Sequence, residues 1–462
     1  MDAKIFALPI LGATLLPSFA FAKEKPNVVI IVADDLGWGD VGFHGSLIPT
    51  PNVDKLASEG IELNRFYTAP VSSPTRCGLL TGRYPSRFGI RETVIPPWRD
   101  YGLDEGEETI ADVLGRNGYS NRAIIGKWHV GHGKKAYYPL NRGFTHFYGC
   151  LNGAIDYFTH EREGELDWHD DWESSYDRGY STDLIASEAA GCIKEYSNEG
   201  PYLLYVAFNA PHAPYEAPED EIESLIPKSE FDGLKNKDKK GWTYRAMVSR
   251  MDKGVGRILD ALDASGEKDN TIILFMSDNG GVPGMEPYCN NMPHKGNKFE
   301  EWEGGVCNVA VTMWKEGFKN GGRKLDQVTG FVDVLPTLVD ILDIDDAPKH
   351  PYDGISVFSV LRGKRKSIDR DMYLGCGAAV NQHYKMILAH KNNRLKLEND
   401  YFTDILANPE EKTDGKKYPK KEVSRLRDVI KAGDAIVPSH PELPYDYGKK
   451  DFKAPKEWKI IE

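Results

Sequence analysis

The chain has 462 residues, 40% of them apolar and 28% charged, an ordinary globular composition that can bury a sizeable core without disulfide staples. Its net charge of −12 excludes a general nucleic-acid binder, which needs a basic face. It leaves room for an anionic substrate held by a local cluster of cations.

In chain order, Lys4 and the apolar run Ile5 to Phe21 end in Ala20-Phe21-Ala22, a small-residue cleavage site before Lys23. Residues 1–22 therefore read as an export signal, with a periplasmic or extracellular location expected. No other stretch is long and apolar enough to span a membrane. The run Asn27 to Ala33 is continuously apolar and β-branched, as expected for a parallel strand buried on both faces. Thr50-Pro51 opens a helix that Gly60 closes. Helices are then predicted over Glu107–Asn117, Thr182–Tyr196, Tyr244–Ala264 and Phe331–Leu342, and strands over Ser120–Ile125, Tyr202–Asn209 and Thr271–Ser277. This alternation implies an α/β fold with a large, mostly parallel sheet sandwiched by helices. From about Ala347 the pattern changes to short strands (Asp371–Gly375, Tyr384–Ala389, Leu395–Glu398) followed by a charged helix, Lys420–Ala432. The expected organisation is a catalytic domain over 23–346 and a small C-terminal α+β subdomain over 347–462. Six cysteines, Cys77, Cys150, Cys192, Cys289, Cys307 and Cys376, show no CxxC or zinc spacing and read as buried free thiols.

Ligands of open α/β sheets bind beyond the carboxyl ends of the strands. Two strand ends carry clustered oxygen donors: Asp34-Asp35, and Asp278-Asn279 within Ser277-Asp278-Asn279-Gly280. Three carboxylates and an amide oxygen suit a hard cation such as Ca²⁺ or Mg²⁺.

The segment Ser72 to Arg83 reads SSPTRCGLLTGR. It resembles the signature of the sulfatase family, C-x-P-S-R-x-x-L-x-T-G-R, in which serine replaces the first cysteine in one bacterial class. Ser72, Pro74, Arg76, Leu79, Thr81, Gly82 and Arg83 match at the family's spacing, and Thr75 departs from the usual serine while keeping its hydroxyl. Cys77 falls five positions late and receives no role. The resemblance extends along nearly the whole chain: Asp34-Asp35-Leu36-Gly37, Gly126-Lys127-Trp128-His129-Val130-Gly131, Asn209-Ala210-Pro211-His212, Ser277-Asp278-Asn279-Gly280-Gly281, and Lys298 ahead of Glu303-Gly304-Gly305. Arg142-Gly143-Phe144 and Asp156-Tyr157 with His160 are similar to the arylsulfatase B branch, which acts on 4-sulfated N-acetylgalactosamine.

The resemblance implies an alkaline phosphatase-like fold and hydrolysis of sulfate esters, with galactose or N-acetylgalactosamine units as the expected sugars. It implies that a radical-dependent, serine-type maturating enzyme oxidises Ser72 to formylglycine (3-oxoalanine). The hydrate of that aldehyde attacks sulfur with one hydroxyl and expels sulfate as the aldehyde reforms. It implies one Ca²⁺ on Asp34, Asp35, Asp278 and Asn279, in contact with residue 72. Arg76 would fix the hydrate, Lys127 and Lys298 would bind sulfate, His129 would be the base and His212 the acid. For the sugar, Glu92, Trp98, Arg99, Asp156, Tyr157, His160, His169, Asp170 and His294 lie in loops, and an aromatic–carboxylate mixture suits a sugar ring. Two other readings stand beside this one. A phosphomonoesterase or phosphodiesterase of the same superfamily would share the fold. A non-catalytic protein binding sulfated glycans would leave Ser72 unmodified.

Overall fold

The computed structural model describes residues 25–318, 321–346, 348–389, 394–412 and 416–459. The expected export segment and the boundary residue Ala347 lie outside them. A ten-stranded sheet dominates the described residues. Its strands in chain order are β1 (Asn27–Ala33), β2 (Ile61–Leu63), β3 (Asn121–Lys127), β4 (His146–Cys150), β5 (His169–Asp170), β6 (Glu173–Ser174), β7 (Tyr202–Ala207), β8 (Thr271–Ser277), β9 (Ala310–Met313) and β10 (Arg323–Leu325). They lie side by side as β10-β2-β9-β8-β1-β7-β3-β4-β5-β6. The central run β8-β1-β7-β3-β4 is parallel, and β9 and β5 flank it antiparallel.

Alternate residues of β1 feed two cores. Val28, Ile30 and Val32 join one apolar cluster, and Val29, Ile31 and Ala33 join the other. Burial on both faces accounts for the unbroken apolar runs of the central strands. Helices cover the sheet: α1 (Pro51–Glu59), α2 (Ser72–Thr81), α3 (Ile110–Arg116), α4 (Ser181–Tyr196), α5 (Asn236–Ala264) and α6 (Val334–Ile341).

Two helix starts differ from expectation for local reasons. Helix α3 starts at Ile110 instead of Glu107, because Thr109 and Asp112 form a reciprocal capping box. Helix α5 begins at Asn236, about two turns before Tyr244, through the polar run Asn236–Lys240. Ser72 heads helix α2. Pro74 sits in the first turn, where a missing backbone N–H costs no intrahelical bond.

Beyond the large sheet, β11 (Asp371–Gly375), β12 (Ala378–Asn381), β13 (Tyr384–Ile387) and β14 (Tyr401–Asp404) form an antiparallel sheet backed by α7 (Lys420–Asp434). The strand expected over Leu395–Glu398 forms instead at Tyr401–Asp404, where it pairs with β13. Lys385, fully buried on β13, bridges Glu303 at 2.8 Å and Glu411 at 3.0 Å, joining this sheet to the body that carries α2. All six cysteines are buried free thiols.

Candidate active site

Four adjacent parallel strands, β8, β1, β7 and β3, end at one edge of the sheet. They deliver Asp278-Asn279, Asp34-Asp35, Asn209 with His212, and Lys127 with His129, respectively. Helix α2 adds Ser72 and Arg76, one turn apart on the same face. The side chain of Ser72 donates to Asp278 Oδ2 at 2.7 Å and accepts from Arg76 Nε at 2.9 Å, while His129 Nδ1 lies 3.2 Å away. The Arg76 guanidinium also grips Asp278 Oδ2 through Nη2 at 2.8 Å and the Lys127 carbonyl at 3.1 Å. Every one of these groups is buried. Asp35 and His129 both adopt left-handed backbone angles, φ 68° and 60°, a cost of about 1–3 kcal/mol each that tertiary contacts must offset.

Charge balance is tight. Lys127 pairs with Asp34, and Lys298 reaches Asp35 at 2.7 Å. Burial drives Asp34 up to about 7 against the pull of Lys127. Burial also acts on Asp35, but Lys298, His212 and the Asn279 amide together outweigh it and hold that carboxyl at about 2. Asp278 resists burial in the same way through Arg76 and stays below its ordinary range. Burial depresses both histidines: His212 falls to about 3 and His129 falls well below 6.5, with Lys127 adding to the effect on His129. Both imidazoles are therefore neutral at physiological pH. His212 places Nδ1 2.5 Å from the Ala213 carbonyl, which fixes Nδ1 as the donor and leaves Nε2, 3.7 Å from Asp35 Oδ2, as the free position.

The donor set fits a hard cation. Asp34 Oδ1 and Asn279 Oδ1 are buried with no hydrogen-bond partner, and Asp34, Asp35 and His212 bring ligand atoms within 4.8 Å of one another. Buried orphan oxygens are rare and costly unless something satisfies them. Cys77 is not a competing nucleophile, because burial raises its thiol far above the neutral range.

A cleft of about 490 Å³ opens above Ser72. His129, His212 and Lys298 line it, together with Thr93, Pro96, Gly153, Arg162, Phe299, Arg394 and Tyr445. Of the nine loop residues considered for sugar contact, none lines this cleft. Tyr157 is buried, with its hydroxyl on the carbonyls of Asn209 and His212 at 2.7 and 2.8 Å, so it braces the His212 loop from behind. His160 stacks on Trp168, and His169 bonds Asp167 at 3.2 Å. Asp156 caps the turn at Phe158 and Thr159, and Asp170 is exposed on β5. Trp98 donates to the Tyr445 carbonyl at 2.7 Å, and Arg99 to that of Pro444 at 2.8 Å, so both support the cleft wall without forming it. Glu92 pairs with Arg91 through its side chain while its backbone carbonyl accepts from Arg394, and His294 is half-buried against Trp38. Arg162, Phe299, Arg394 and Tyr445 escaped the sequence reading because they come from four separate segments with no shared motif, Arg162 from a two-residue strand and Phe299 from the position after Lys298. Gly153 has a clear role in the fold: a Cβ there would sit 2.3 Å from the His129 ring.

A family model described as Sulfatase matches residues 26–344. The chain belongs to the sulfatase family. Among curated relatives, it is 32% identical to mouse arylsulfatase J over 346 residues, 73% of this chain and 56% of that one. It is 30% identical to N-acetylgalactosamine-6-sulfatase of Rattus norvegicus over 397 residues, 80% of this chain and 72% of that one. It thus spans little more than half the length of the first and nearly three quarters of the second. Among solved structures, Ps i-CgsB in complex with k-i-k-neocarrahexaose superposes with a TM-score of 0.79 at 28% identity, covering 93% of this chain and 98% of that one. The PsFucS1 sulfatase from Pseudoalteromonas sp. shares the fold with a TM-score of 0.73 at 23% identity, covering 94% and 92%. Sulfatases hydrolyse sulfuric esters, and the two solved structures share the mixed α/β fold of this chain.

Proposed function

We propose that this sulfatase removes a sulfate ester from a sulfated carbohydrate, with residue 72 as nucleophile after oxidation of Ser72 to formylglycine and with one Ca²⁺ on Asp34, Asp35, Asp278 and Asn279. The observation that carries the reading is the threefold grip on Ser72 Oγ by Asp278, Arg76 and His129, at the floor of a cleft flanked by His212 and Lys298. Formylglycine supplies, as its hydrate, a hydroxyl nucleophile together with a second hydroxyl through which bound sulfate can be released. Ca²⁺ supplies positive charge that lowers the hydroxyl pKa and screens the incoming sulfate.

The chain's own residues perform the remaining work. Arg76 uses its planar fork to orient the oxygen at position 72 while anchored on Asp278. His129 is neutral and in contact with that oxygen, so its Nδ1 can take a proton there. Lys298 presents a buried ammonium at the cleft, and Lys127 a second one beneath it on Asp34; both face the charge that develops on sulfate oxygens. A sulfate anion beside His212 favours protonation of its free Nε2, the proton then given to the departing sugar oxygen. Export fits a polymeric glycan substrate, and among the described residues no helix is long and apolar enough to cross a membrane.

Matured enzyme assayed in parallel on an aryl sulfate, an aryl phosphate and a panel of sulfated oligosaccharides tests this. Sulfate release should exceed phosphate release and extend to at least one sugar sulfate. Faster phosphate turnover would overturn it.

A further inference from the structure

The cleft above Ser72 carries cations beyond those needed for one sulfate. Its lining holds three permanent positive charges, on Arg162, Lys298 and Arg394, and no carboxylate. This occurs on a protein whose net charge is −12. Lys298 is committed to Asp35. The two guanidiniums are not similarly engaged. Arg162 lies 3.5 Å from Glu163, a longer contact than a close ion pair, and its Nε is buried without a hydrogen-bond partner. Arg394 lies over the Phe299 ring at 5.0 Å and donates weakly to the Glu92 carbonyl at 3.4 Å. Among the described residues no carboxylate forms an ion pair with it. A neutral sugar ring calls for aromatics and carboxylates. This cleft has the aromatics, Phe299 and Tyr445, but guanidiniums in place of the carboxylates.

We infer that Arg162 and Arg394 form a second anion subsite, which recognises a sulfate or carboxylate on the substrate other than the one removed. The substrate class is then a polyanionic oligosaccharide, charged on the sugar that is desulfated or on its neighbour. The planar fork of arginine binds such oxyanions in two-point contact, and Phe299 supports one of the forks from below. This inference rests on the sulfatase reading above.

The test uses full-length matured enzyme and its Arg162→Gln, Arg394→Gln and Arg162→Lys variants, with folding of each checked by thermal melting. Two oligosaccharides carry the same removable sulfate, and one of them bears an additional sulfate. The wild type should prefer the more charged substrate, and each glutamine variant should lower the ratio of the two kcat/KM values about tenfold, through KM. Arg162→Lys should recover part of the ratio, and raising salt should erode the wild-type preference. Sulfate release from both substrates with a ratio that no variant moves would overturn the subsite and leave the sulfatase reading standing. No sulfate release from either would overturn that reading itself.

Discussion

Asp34 and Asn279 carry, at single-residue scale, the observation that favours a cation in this site. Each has a buried oxygen with no partner, although the neighbouring groups are densely bonded. An ion satisfying both would stabilise the folded chain by mass action, by about 2.7 kcal/mol at a hundredfold excess over its dissociation constant. Added Ca²⁺ should therefore raise the melting temperature of the wild type and leave that of Asp34→Ala unchanged. Equal shifts in both proteins would place the binding elsewhere. These residues were legible in the sequence because each lies directly after an apolar strand, where contiguous motifs report three-dimensional position. The cleft wall was not. Tyr157 and His160 look exposed in their polar neighbourhood, yet tertiary packing buries both, and the cationic wall draws on Arg162 and Arg394, 232 positions apart by their numbers.

At the scale of elements, the site depends on strands ending at the same level. β3 achieves this through Gly126, whose φ of 100° admits the close approach of β7. A Cβ at this position would lie 2.0 Å from the Ala207 carbonyl oxygen. Gly126→Ala should cost about 3 kcal/mol from left-handed strain and overpacking together. It should also displace Lys127 and His129. Denaturant unfolding and kcat measured on the same preparation check this, and a loss of stability under 1 kcal/mol would contradict it. The α/β alternation was readable because long apolar runs and capped helices report themselves. Strand β14 was misplaced because short strands are defined by their partners, here the ladder with Tyr384–Ile387, and not by their own composition. Helix α2 was hidden because Ser72-Ser73-Pro74-Thr75 has low helix propensity, offset by burial of the whole element and by the bond from Ala69 N–H to Thr75 Oγ1 at 3.0 Å.

Across the whole molecule, buried ionisable groups tie stability to pH. His294 lies half-buried outside the cleft, and desolvation of its ring lowers it from 6.5 to about 4. The folded state holds this imidazole neutral while the unfolded chain protonates it, so its contribution is full above about pH 6.5 and is lost as pH falls towards 4. The loss approaches about 1.4 kcal/mol for each pH unit within that window. Melting curves at pH 7 and pH 5 should show a smaller drop for His294→Leu than for the wild type, and equal drops would remove His294 as the cause. The two apolar clusters, the Lys385 bridge and the four strand ends together position residue 72 at the floor of the cleft, among buried charges whose orientation the fold sets. Peptide mass spectrometry of enzyme purified in active form from its native host tests the central claim most directly. The peptide carrying Ser72 should be lighter by two hydrogens, in a fraction that tracks specific activity. Fully active protein with an unmodified Ser72 would contradict the account.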